Sequence, residues 1–123
     1  GAAVYVACHV NAGGGSRGIV YYDHRSKRGA ELADHVATSL WLVVPWPVDA
    51  KPAHPDSNDR PGDEGEAPYA VIHGVRAVAL CCEPGFIDDP DLARQSHLVM
   101  EAESIGEAIA RGIDVWARGK KAA

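Results

Sequence analysis

Ala77-Val78-Ala79-Leu80-Cys81-Cys82 runs directly into Glu83-Pro84-Gly85-Phe86. A short, unbroken apolar run bounded by turn formers has the length and composition of a strand buried on both faces. Such strands belong to parallel or mixed sheets covered by helices, where neither face alternates toward water. Upstream, Ala3 to Cys8 (AVYVAC) has the same character and predicts a second buried strand. It stops at His9-Val10-Asn11-Ala12, and Gly13-Gly14-Gly15-Ser16 then reads as a flexible loop. Gly18 to Tyr22 (GIVYY) predicts a third strand.

Between these strands the apolar period changes. Leu32, Val36 and Leu40 share one helical face with Ala33 and Ala37 beside them, and Ser26 is placed to cap that helix. The helix is expected to run to about Leu40 or Trp41, with Pro45 and Pro47 preventing its continuation. Residues Asp49 to Glu66 are polar and rich in Pro, Gly and Asp, which predicts a long, exposed and mobile loop. Tyr69 to Val75 fits either a short helix or a strand, and Asp88 to Ala93 a turn leading into a helical start. Ile105, Ile109, Gly112, Ile113 and Trp116 form the stripe of a closing helix from about Val99 to Ala117. Strands alternating with helices define an α/β fold with a mostly parallel or mixed sheet flanked by helices, and residues 1–123 are read as a single domain.

Composition narrows the function classes. A formal net charge of −5 and the lack of a Lys/Arg cluster argue against nucleic acid, whose phosphates need a basic face. The basic end from Arg118 to Lys121 reads as a solvated tail. Every apolar stretch is too short to span a bilayer, so no membrane partner is expected. Gly1 to Ala7 has no basic flank of the kind a signal peptide carries. Three cysteines, two of them adjacent, do not make a disulfide framework and fit synthesis in a reducing compartment.

Two of the buried strands end in polar groups that a core would not select, His9 and Glu83. Sites in open α/β sheets form at the carboxyl ends of strands. An imidazole and a carboxylate brought together there suit a metal site or acid–base work. A structural His and a loop Glu are the competing reading of the same two residues. If His9 and Glu83 face a site, alternation turns Cys8 and Cys82 toward the core and leaves Cys81 on the side of Glu83. His24, His35, His54, His73 and His97 are further imidazoles, without the close spacing of a ligand pair. His35 is expected in solvent, and Trp46, between two prolines, is the tryptophan placed to line a groove.

In its motifs the chain resembles the zinc-dependent N-acetylmuramoyl-L-alanine amidases, a family that includes cell-wall amidases and phage endolysins. His9-Val10-Asn11-Ala12, the Gly/Ser loop and Gly18-Ile19-Val20-Tyr21-Tyr22 are similar to its central His-x-Asn-Ala block, and Ser26 with Glu31-Leu32-Ala33 to the helix that follows. Arg76 to Asp91, containing Glu83-Pro84-Gly85-Phe86-Ile87, is similar to its Glu-x-Gly-Phe-Ile block. Ile105 to Ile113 is similar to its last helix. Asp88-Asp89 stands where the family commonly has Ser-Asn, and Ala7-Cys8 where it has Ser-Ile.

The resemblance implies hydrolysis of the amide between N-acetylmuramic acid and L-alanine in peptidoglycan. It implies His9 as a Zn²⁺ ligand, Glu83 as the catalytic carboxylate and Asn11 as a polar residue at the substrate beside the metal. It also implies an incomplete amidase domain. The family's earlier strand and helix, with a first His ligand and a Glu ligand, have no counterpart here. One imidazole is fewer than the three protein ligands of a catalytic zinc. The chain alone is therefore expected to bind zinc poorly, unless an N-terminal segment, another chain or self-association completes it. The alternative is a non-catalytic or partial peptidoglycan-binding domain. Synthesis in the cytoplasm and action on the cell wall are expected, either in the manner of a phage lysin or after export.

Overall fold

A computed structural model describes residues 3–55 and 68–122 of the chain. The elements follow in the order β1 (Val4–Cys8), β2 (Gly18–Asp23), α1 (Lys27–Trp41), β3 (Val48–Ala53), α2 (Pro68–Ile72), β4 (Val78–Glu83), α3 (Leu92–Met100) and α4 (Ala102–Ala122). The four strands form one mixed sheet in the order β1-β4-β2-β3. β1 runs parallel to β4 and β2 parallel to β3, while β2 and β4 meet antiparallel at the centre. The α/β class and the mixed, helix-flanked sheet are thus as the sequence predicts.

The two sheet faces carry different layers. Val20, Val48, Leu80 and Cys82 pack against Leu32, Val36 and Leu40 of α1 and Ile105, Ala108, Ile109 and Trp116 of α4. This is the main core. On the other face Ala79 and Cys81 meet Ala53, Tyr69 and Ile72, so α2 covers that side. Alternation along β4 produces the division, successive side chains pointing to opposite faces. The segment from Tyr69 that left helix and strand open is helical in its first part.

α1 begins where its cap predicts. Ser26 is extended at φ −94°, and its hydroxyl accepts the Gly29 N–H at 2.9 Å. Ser26→Ala should therefore destabilise the protein by about 1 kcal/mol, measurable as a shift of the urea midpoint with unchanged slope. The helix ends at Trp41, before either proline.

Several expectations are corrected. The long polar loop does not start at Asp49: Val48–Ala53 is the edge strand β3, which uses Pro52 on the sheet margin, where a missing N–H is tolerated. The rest of that stretch, residues 56–66, lies outside the described residues. β1 is not a buried strand. Among the described residues it pairs only with β4, at the sheet edge, and Tyr5 is 41% exposed. The closing helix α4 starts at Ala102 rather than about Val99: Val99 and Met100 end α3, and the two helices part at Glu101, whose φ of −105° and ψ of 21° leave the helical region. Trp46, expected to line a groove, is buried, and its indole N–H donates to the Pro84 carbonyl at 2.7 Å.

Candidate active site

The parallel ladder of β1 and β4 pairs Ala7 with Cys81 and Cys8 with Cys82. The His9 N–H donates to the Cys82 carbonyl at 2.9 Å, which extends the ladder by one step. His9 and Glu83 are therefore neighbours where β1 and β4 end. By alternation Glu83 lies on the face of Cys81 and Ala79. Glu83 is 7% exposed and sits opposite Ile19 at the start of β2. His9 is half-buried.

Beyond this pair the two chains stay in step through a bulge. Asn11 bridges Phe86: its N–H donates to Gly85 at 2.9 Å, and its carbonyl accepts from Ile87 at 2.8 Å. Cys8 pairs with Cys82 but Asn11 with Phe86, so one extra residue is accommodated on the β4 side. Bulges of this kind re-aim side chains at sheet rims. The Asn11 carboxamide oxygen accepts the Ala12 N–H at 2.8 Å, fixing the side chain against the loop. A Cβ at Gly85 would meet Leu98 Cδ2 at 2.8 Å and Trp46 Cζ2 at 3.0 Å, so those side chains would have to shift.

On the α4 side of the rim lies a cleft of about 220 Å³, walled by Cys8, His9, Pro84, Leu98, Ile105 and Ile109 among others. Its walls are mainly apolar. Cys8 points toward the α1/α4 face, as alternation requires, but is exposed rather than in the core. Burial pushes the Cys8 thiol up, and it pushes Cys82 up much further. Neither is poised as a thiolate at neutral pH.

The other histidines are engaged elsewhere. The His24 and His54 rings lie tilted against each other at 4.5 Å, and Tyr69 and His73 stack at 4.7 Å. Arg25 donates to Nδ1 of His73 at 3.1 Å and to Asp23 at 2.8 Å. The Arg25 guanidinium holds the Asp23 carboxyl down to about 2. This cluster sits where β2 and β3 end. β2 runs antiparallel to β4, so that end is the rim opposite His9 and Glu83. His97 contacts the Val43 carbonyl through Nε2 at 3.1 Å and meets Trp46 edge-on. His35 is exposed on α1, as expected. Among the described residues no group of three or more His, Cys, Asp or Glu side chains is arranged to hold a metal ion. These residues by themselves do not fit a complete zinc site.

Sequence reasoning missed Asp88, Asp89, Arg94 and Ser16. The glycine loop that it reads as flexible is bound at two points, Gly13 and Gly14 to Asp88 and Ser16 to Asp89. No local pattern announces contacts between residues so far apart in the chain.

The fold is shared with solved structures of N-acetylmuramoyl-L-alanine amidases. The chain is similar to the N-acetylmuramoyl-L-alanine amidase from Clostridium difficile 630 with a TM-score of 0.71 and 17% identity, over 97% of this chain and 60% of that one. It is similar to the catalytic domain of the CD27L endolysin, which targets Clostridia difficile, with a TM-score of 0.65 and 20% identity over 92% and 54%. Amidase AmiC2 of Nostoc punctiforme gives 0.64 and 20% over 95% and 59%. The chain thus spans between 54% and 60% of the length of these three structures. No protein-family model matches the sequence, and no curated protein matches it in sequence.

Proposed function

We propose that this chain is part of an N-acetylmuramoyl-L-alanine amidase that hydrolyses the lactyl–L-alanine amide of peptidoglycan, acting on the cell wall and depending on zinc. The observation that carries the proposal is the coincidence of fold and rim. On a sheet shared with peptidoglycan amidases, the adjacent strands β1 and β4 end together in His9 and Glu83. Glu83 is a carboxylate at a strand terminus, suited to take the proton of an attacking water and return it to the departing amine. Asn11, anchored to Phe86 and Ala12, offers a polar edge to the substrate amide. His9 is the proposed zinc ligand. The remaining donors would come from outside the described residues, because those described supply too few.

Ligand count leads to an expected result. The 123-residue chain alone should show no tight stoichiometric zinc uptake in a metal titration and little clearing of purified peptidoglycan in a turbidity assay. Adding the upstream strand and helix of a related amidase, in cis or as a separate polypeptide, should raise both. His9→Ala should abolish the gain in zinc. Tight zinc binding by the bare chain, undiminished in His9→Ala, would place the ligands elsewhere and overturn this assignment.

A further inference from the structure

Gly13 and Gly14 have φ of 122° and 71°, in the left-handed region open to glycine. In this conformation their N–H groups converge on one carboxylate. Gly13 donates to both oxygens of Asp88, at 3.1 and 2.9 Å, and Gly14 to one at 3.0 Å. Gly15 lies against the Phe86 ring, where any Cβ would collide with it. Asp89 is 3% exposed and takes the Ser16 hydroxyl at 3.4 Å and the Arg94 Nε–H at 2.9 Å. Arg94 in turn reaches the Ser16 oxygen at 3.1 Å. The Asp91 N–H donates to Asp89 at 2.8 Å, which ties this pair to the first turn of α3.

We propose that Asp88 and Asp89 are positioning residues of the His9–Glu83 rim: through the glycine loop they fix the path of His9 to Asn11 against Glu83 to Phe86. The catalytic consequence rests on the amidase reading above; the mechanical one does not. A run of three glycines loses more conformational freedom on ordering than any other composition, so its order must be imposed by bonds. Bonds from N–H groups to an ionised carboxylate are stronger than neutral ones. Those bonds hold the Asp88 carboxyl below its usual range. The loop begins at Asn11, whose main chain bridges Phe86, and the acceptors that bind it follow Phe86 within three residues. Rim, loop and clamp are therefore one closed ring of contacts. Releasing the clamp leaves the segment between Asn11 and Gly18 held only at its two ends, by the Phe86 bridge and by β2.

The test is residue-resolved amide hydrogen exchange on the whole 123-residue chain, comparing Asp88→Asn, Asp88→Ala and Asp89→Asn with the wild type. Asp114→Asn, which breaks the exposed Arg118 ion pair on α4, is the control. Asp88→Ala should speed exchange at Gly13 and Gly14 by about tenfold, the scale of a lost charge-assisted bond. Exchange at Asn11 and Ile87 should rise by several fold, while Leu80 and Cys82 stay as they were. Asp88→Asn should show the same pattern with smaller changes, and the control should show none. Faster exchange confined to Gly13 and Gly14 would mean that the clamp orders only the loop, and would overturn the proposal. So would unchanged glycines, or acceleration spread equally to Leu80 and Cys82. Peptide release from peptidoglycan by the zinc-loaded, completed protein is measured separately. There Asp88→Asn should lower kcat with little change in KM. If the exchange pattern holds while the wild type releases no peptide, the amidase reading fails and the positioning role stands.

Discussion

In the zinc-loaded protein completed by the upstream strand and helix, Glu83→Gln should reduce peptide release from purified peptidoglycan by about 10²- to 10⁴-fold, the usual contribution of a general base, with zinc content unchanged. Glutamine preserves the size of the side chain and removes only its capacity to take a proton. Glu83 is nearly buried at the end of the central strand β4, so a larger change would risk the sheet itself. The comparison with His9→Ala separates the roles: that variant should lose zinc and activity together. Zinc content by atomic absorption and newly released amino termini per enzyme are the two measurements. Activity within a few-fold of wild type in Glu83→Gln would move the base to another group.

Gly112→Leu should cost about 3 kcal/mol or more, the upper end for overpacking, and lower the melting temperature by roughly 10 °C. A Cβ at Gly112 would lie 2.7 Å from the Val36 Cα and 2.9 Å from the His35 carbonyl oxygen. Those atoms belong to the α1 backbone and cannot swing away as a side chain would. α1 and α4 must separate, and with them the layer that buries Leu32, Val36 and Ile109. Gly106 lies on the same helix with open space around its Cα. Gly106→Ala should therefore stabilise α4 by up to about 1 kcal/mol, the helix-propensity difference. Differential scanning calorimetry of the two variants checks the contrast; equal melting temperatures would show that the helices do not approach closely at Gly112.

The elements that could be read from sequence are those whose signal is local. α1 was legible because Leu32, Val36 and Leu40 repeat at helical spacing behind a capping Ser26, and β4 because its apolar run stops at Glu83. β3 was hidden by Lys51 and Pro52, tolerated because the strand is at the sheet margin. The break at Glu101 was hidden because apolar residues continue through it, although Leu92, Val99 and Met100 are exposed. Of the candidate site, His9 and Glu83 were visible as polar ends of apolar strands, and the ladder puts those ends side by side. The Asp88–Asp89 clamp was not visible. It depends on the approach of loops distant in sequence, and charged residues after a turn resemble any solvated surface.

The pairing of β1 with β4 also constrains the order in which the molecule assembles. Val4 must find Val78, whereas α1 and its junction with β2 form within a few tens of residues. Closing the larger loop carries the greater entropic cost, so contacts between distant segments lag behind local ones. β2, α1 and β3 form a contiguous βαβ unit with a parallel pair and its crossover helix, able to gather before the ends of the chain meet. His9 and Glu83 lie on opposite sides of the last closure. A nascent or partly folded chain thus has helix and sheet before it has the rim where β1 and β4 meet.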